Sequence, residues 1–268
     1  MRKIIVSFAV LFLVIVSVTY AFSPTGYPWV TWGDLGYQIG GEEEGFKGDG
    51  YIEQGVDWFH TLGWTANTFV GINVVGSDDS DQYWNNKFGI IPGFKFTRTF
   101  NVNEDTSLEL AVGYRWEYYQ YFSGYDSSSR GIGFANWYIG GNWDGKRWPW
   151  HSWGEISNGA GDPDSSFKVD MYVQQGFKAA TVDKWTVVPY TGFRVVQSDH
   201  NQDYWNNKIG PRLGIEIQRP IGDGGAISFG VRGDYYLYND SDVDDEVLGT
   251  VYMTWWFSGD HKKNREVQ

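Results

Sequence analysis

Ser107–Gln120 reads SLELAVGYRWEYYQ. In a strand with a two-residue period, Leu108, Leu110, Val112, Tyr114, Trp116 and Tyr118 share one face. Glu109, Ala111, Gly113, Arg115 and Glu117 share the other. Strands in soluble sheets run about 5–6 residues, whereas a tilted strand crossing a bilayer needs about 9–11. The stretch therefore predicts a membrane-crossing strand, apolar toward lipid and charged toward a barrel interior.

The same alternation recurs along the chain. In FGIIPGFKF, Phe88, Ile90, Pro92, Phe94 and Phe96 form one face; in IGPRLGIEIQ the corresponding face is Ile209, Pro211, Leu213, Ile215 and Ile217. FKVDMYVQQGFK opposes Phe167, Val169, Met171 and Val173 to Lys168, Asp170, Tyr172 and Gln174, and predicts a strand over 166–179. Pro92 and Pro211 lack a ladder N–H and predict a local bend or bulge.

The sequence is also written twice. YWNNK stands at Tyr83–Lys87 and again at Tyr204–Lys208, 121 residues later. At that offset YPWVTWGDL meets WPWHSWGEI, and FKGDGYIEQG meets FKVDMYVQQG. Roughly a third of the positions from 27 to 100 are identical to their copies. Two units, about 27–142 and 148–257, are expected inside one closed domain spanning 22–257, because the join NWDGKRWPW is too short and aromatic for a linker. Twelve strands are expected, six per unit; ten is the alternative, since HSWGEISNG is a poor strand.

The connections alternate in character. GGEEEG, GSDDSDQ, GAGDPDSS and NDSDVDDE are acidic and longer; HTLG, NVNED, TVDK and GDGG are short. In an up-and-down barrel every second connection emerges at the same rim, so the acidic loops gather at one end and both termini at the other.

The compartment follows from the first segment. MRK, the apolar run IIVSFAVLFLVIVSV and then TYA have the order of a secretory leader, with cleavage expected after Ala21. A polar tail, 258–268, ends the chain of 268 residues. Mean hydropathy is −0.42 and cysteine is absent. The formal charge of −12 falls to −14 once Arg2 and Lys3 leave with the leader, which argues against a nucleic-acid partner. Aromatics make up 19%, with 15 Trp and 18 Tyr, more amphipathic rings than a soluble core needs.

VLGTVYMTWWF, ending in aromatics before the tail, resembles the C-terminal strand of outer-membrane β-barrels of the porin-like class. YWNNKIGPRLGIEIQRP is similar to strands in barrel domains of exopolysaccharide-export and phage-receptor outer-membrane proteins. These resemblances imply an outer-membrane location with lipid as the immediate partner.

The function expected is a passive channel for small polar or charged solutes such as oligosaccharides. Two alternatives stay open: a structural or polysaccharide-export barrel without an open pore, and a secreted soluble carbohydrate-binding β protein. The inward face of the first unit supplies Glu53, Asp57, Lys95, Glu109, Arg115 and Glu117 as lumen candidates. The second unit supplies Lys168, Asp170, Lys178 and Arg194, then Arg212, Glu216, Arg232 and Asp234. Sign changes at matched positions, Asp57 to Lys178 and Lys95 to Glu216, predict a basic wall facing an acidic one. Abundant inward glycine predicts open space. Tyr83, Asn85 and Lys87, with Tyr204, Asn206 and Lys208, are rim candidates. Trp29, Trp32, Trp150 and Trp153 of the PWxxWG repeats are expected in the lipid-facing girdle, with sugar stacking as the other reading. Catalysis is not expected: His60, His151, His200 and His261 have no metal-ligand spacing, and only His200 offers a loop-sited hydrolase alternative. No cofactor is expected beyond weak Ca²⁺ or Mg²⁺ binding by the acidic loops.

Overall fold

The computed structural model describes residues 24–40, 44–78, 85–122, 126–142, 147–160, 167–199, 207–222, 224–239 and 243–260. The segment expected as a leader, positions 261–268 of the expected tail and most acidic loop tips lie outside the described residues, while Ser258–Asp260 belong to the last strand. Six strands occupy the first unit: β1 (Pro28–Ile39), β2 (Gly45–Thr61), β3 (Trp64–Ser77), β4 (Lys87–Asn103), β5 (Thr106–Tyr121) and β6 (Ser128–Asn142). The second contains β7 (Pro149–Ala160), β8 (Phe167–Gly176), the short β9 (Ala180–Val182), β10 (Trp185–Ser198), β11 (Lys208–Pro220), β12 (Gly225–Tyr238) and β13 (Glu246–Asp260). Every pairing is antiparallel and, apart from β8 with β10 across the short β9, joins neighbours in sequence, and β13 returns to β1 from Pro28↔Asp260 to Ile39↔Gly249. The result is a closed twelve-stranded up-and-down barrel with β9 as an extra piece. Closure leaves no edge strand to pair with another chain.

Strand ends repeat at the spacing of the sequence repeat. Pro28–Ile39 answers Pro149–Ala160, and Trp64–Ser77 answers Trp185–Ser198. HSWGEISNG forms a full strand in β7, between β6 and β8, so the ten-strand alternative falls. A weak intrinsic strand preference yields where two neighbours supply its ladder.

The expected strand over 166–179 is broken. β8 stops at Gly176 and β9 resumes one residue out of register on β10, although the Phe177 and Ala179 N–H groups still donate to Pro189 and Val187 of β10. Its counterpart β2 runs through but shifts register between Asp57 and Phe59. The prolines also behave differently from the expected bulge. Toward β5 the ladder skips Ile91 and Pro92, and toward β12 it skips Gly210 and Pro211, with unchanged register on either side. A missing N–H removes a bond there without adding a residue.

The outward face is apolar and open. Leu213 is 69% exposed, and Ile72, Phe94, Val112, Trp116, Ile215 and Val251 also stand clear of the barrel. A belt of this kind wraps the barrel far beyond the few hundred Å² a soluble monomer tolerates, and suits hydrocarbon. Inside, Phe69, Ile91, Ile132 and Phe134 form a buried apolar cluster with Tyr51 against it.

Candidate functional site in the barrel lumen

The lumen is built from ion pairs within a strand and between strands one or two apart. Lys95 on β4 meets Glu53 on β2 at 2.6 Å, and Tyr51 donates to the same carboxylate at 2.7 Å. Arg115 on β5 donates to Glu117 at 2.8 Å and reaches past β6 to Glu155 on β7 in a bidentate pair at 2.6 and 2.8 Å. Arg130 joins Glu117 at 2.9 Å. In the second unit Arg194 makes a bidentate pair with Asp170 at 3.0 and 2.8 Å. Arg212 pairs with Asp234, which Arg232 also contacts at 3.2 Å, and Arg232 lies 3.6 Å from Asp34 on β1.

These pairs overturn the two facing walls. Arg194, Arg212 and Arg232 each have a carboxylate on the same or a nearby strand, so the lumen charge is mixed locally. Strands lie about 4.8 Å apart, so an arginine reaches a neighbour long before it reaches across a barrel. Lys178 is not held in the lumen: it is exposed at the irregular point after β8, with its N–H bonded to the Arg147 carbonyl. Asp57, its counterpart, bonds Thr25 and Gly26 through its backbone and accepts from Asn67 at the short-turn rim. Glu109 is exposed toward that same rim, and Lys168 begins β8 at the opposite one.

Glu216 stands where Lys95 stands in the first unit, and Gln174 where Glu53 stands. An ion pair is thereby replaced by an amide bonded to a carboxylate at 3.3 Å. Glu216 also accepts from Gln218 at 2.6 Å and from Tyr252 at 3.2 Å, while the Tyr252 and Tyr190 hydroxyls meet at 2.9 Å. The inward glycines do not leave open space as expected. Tyr51 lies over Gly71 and Tyr172 over Gly192, where any Cβ would collide with the ring.

The PWxxWG tryptophans split between faces, which corrects the girdle assignment. Trp32 pairs in register with Tyr51, and Trp153 with Tyr172, both inward residues. Trp32 stacks on Tyr51 at 5.5 Å and 29°, and Trp153 lies 5.8 Å from Tyr172 with Arg194 over its ring. Trp29 and Trp150 take the outward parity, opposite Gln54 and Gln175.

YWNNK has a structural part visible in its second asparagine. Asn86 accepts from the Ser77 N–H at 3.0 Å and receives the Phe122 N–H on its carbonyl. Asn207 does the same for Ser198 and Asn239. Each ties the start of one strand to the ends of its two neighbours. Neither was among the rim candidates. Of those, Asn85 is buried, Lys87 lies inward over Tyr119 at 4.5 Å, and Lys208 lies over Tyr236 at 4.2 Å. Tyr83, Tyr204 and Asn206 lie outside the described residues, as does His200. Asn207→Ala leaves the buried Ser198 N–H without this acceptor and is expected to lower stability by about 1 kcal/mol. Urea unfolding in lipid vesicles checks this.

A cavity of about 500 Å³ opens into the lumen beside the first unit, lined among others by Trp32, Tyr51, Glu53, Phe69, Arg115 and Asn136. Among the described residues no cluster of three or more His, Asp or Glu has metal-binding geometry.

No protein-family model matches the chain, and no curated protein matches it in sequence. Solved structures similar to it include an outer-membrane channel from Pseudomonas putida F1, at 8% identity over 88% of this chain and 96% of that one, with a TM-score of 0.49. The beta domain of the Bordetella autotransporter BrkA is similar at 11% identity over 87% and 98%, with a TM-score of 0.45. The KdgM porin is similar at 8% identity over 84% and 98%, with a TM-score of 0.39. A closed antiparallel barrel, apolar outside and charged within, is the architecture of outer-membrane β-barrels, and this chain has that fold.

Proposed function

We propose that the chain is a passive outer-membrane channel for small polar solutes, exported by its leader and inserted with both termini at the periplasmic face. The barrel is read as two fused copies of a six-stranded unit. The observation that carries the channel reading is the 500 Å³ cavity set in a lumen of locally neutralised charges. Such a lining lets polar solutes exchange their water for protein groups without trapping an ion of either sign. The start of β1 and the end of β13, paired at Pro28 and Asp260, lie at the rim of the short turns, which supports this orientation. Short turns mark the periplasmic rim in barrels of this class.

Purified protein, shown folded by heat-modifiable gel migration, is expected to give stepwise conductance in planar bilayers with weak preference between cations and anions. A folded sample that stays silent would mean that the lumen is filled, and the barrel would then be structural.

A further inference from the structure

The two lumen halves share a scaffold but not a filling. Phe69, Ile91 and Phe134 of the first unit are matched by Tyr190, Arg212 and Tyr252 in the second. In the second, those groups turn to one another: the tyrosine hydroxyls meet at 2.9 Å and Arg212 lies 5.1 Å over the Tyr172 ring. In the first, the apolar trio carries no hydroxyl or charge, and the cavity opens beside it.

One wall of that cavity is Trp32, inward yet 39% exposed, with its ring held by the stack on Tyr51. A flat aromatic face bordered by carboxylates and amides suits a ligand with C–H bonds on one face and hydroxyls at its edge. The negative face of the indole meets the slightly positive C–H groups of a pyranose, and the polar groups fix its hydroxyls. Charge decides which saccharide. The cavity lining holds the acids Asp49, Glu53, Glu117 and Glu155 against only Lys87, Lys95 and Arg115. Lys95 and Arg115 are already paired and Arg130 offsets Glu117 from outside the lining, so an acidic sugar would meet committed cations and no net positive charge.

We propose that this cavity is a binding site for a neutral oligosaccharide, with Trp32 stacking on a pyranose ring and Tyr51, Glu53 and Asn136 taking its hydroxyls. The assignment deepens the channel reading and rests on it. It makes the first unit the selective half of the lumen and the second a packed frame.

Saturation-transfer NMR on the folded full-length chain in deuterated detergent tests it, with maltotriose, cellotriose and raffinose as neutral probes and trigalacturonate as the acidic one. At least one neutral trisaccharide is expected to receive saturation at its ring protons, and trigalacturonate none. Loss of a stacking ring worth about 1 kcal/mol should weaken that binding about fivefold in Trp32→Ala. Trp32→Phe should restore most of it, and Trp153→Ala should change it less than twofold. Heat-modifiable migration confirms that each variant is folded. The site is refuted if no neutral probe binds, if trigalacturonate binds as tightly, or if folded Trp32→Ala and Trp32→Phe bind like the parent. A conducting barrel that binds no sugar sinks the site alone. A silent barrel that binds one sinks the channel and keeps the site.

Discussion

Replacing Arg115 by Met is expected to lower the stability of the barrel by about 3 kcal/mol, more than any other single change in the lumen. Its guanidinium contacts two carboxylates, and Glu117 is only 4% exposed. Removing the cation leaves Glu155 without its bidentate partner and Glu117 with Arg130 alone. A buried charge that loses its partner costs more than the pair contributes, because its desolvation is no longer offset. The matched arginine makes the argument sharper. Arg232 stands at the position of Arg115, Asp234 at that of Glu117, and Asp34 at that of Glu155. Each arginine reaches over one strand, β6 or β13, and so tethers one of the two seams between the units. Yet Arg232 lies 3.6 Å from an Asp34 side chain that is 39% exposed, so that tether is weaker. Asp234 keeps Arg212 and the lost contact to Asp34 is an exposed one, so Arg232→Met should cost about 1 kcal/mol. Adding Glu155→Gln to Arg115→Met should recover part of the loss, a coupling that two independent sites would not show. Urea titration in lipid vesicles, followed by tryptophan fluorescence, measures these three variants and the parent. Equal losses at the two arginines would refute the unequal seams.

Much of this barrel can be read from alternation alone. SLELAVGYRWEYYQ predicts β5 with its faces as found: Val112, Tyr114 and Trp116 outward, Arg115 and Glu117 inward. Period two fixes the face of a residue but not its partner, since partners depend on register with strands far away in sequence. Arg115 and Glu155 are 40 residues apart, and nothing local joins them. That is why the sign changes suggested facing walls when the charges in fact pair with near neighbours. Parity, applied to PWxxWG, would have separated the tryptophans correctly: Trp29 and Trp32 differ by three positions, so a strand must place them on opposite faces. The break at Phe177–Ala179 left a weaker trace. AA at 179–180 replaces WF at 58–59, so the copy lacks the bulky aromatics at its irregular point. Asp34, Arg130 and Glu155 were missed as lumen residues, although Asp34 and Glu155 are the acids that close the two PWxxWG repeats.

Leu213→Arg is expected to cost about 2–4 kcal/mol in vesicles, and this outcome depends on the barrel sitting in lipid. Leu213 lies midway along β11, between Thr191 on β10 and Gly233 on β12, and is 69% exposed. In water, so exposed a side chain has little to lose: a surface change away from special features stays within about ±0.5 kcal/mol. In a bilayer the same position faces hydrocarbon near the midplane, where a guanidinium must shed its hydration or drag water inward. Val247 begins the last strand near the acidic-loop rim and is 68% exposed, so it provides the control. Its arginine variant should cost no more than about 1 kcal/mol, because the penalty fades toward the interface. Exposure is nearly equal at the two sites, so burial cannot produce the difference; only depth in an apolar medium can. The measurement is urea unfolding of each variant in vesicles of one lipid composition. Losses below about 0.5 kcal/mol at both positions would show that the apolar belt does not meet hydrocarbon, and the membrane-spanning reading of the outward face would fall with it.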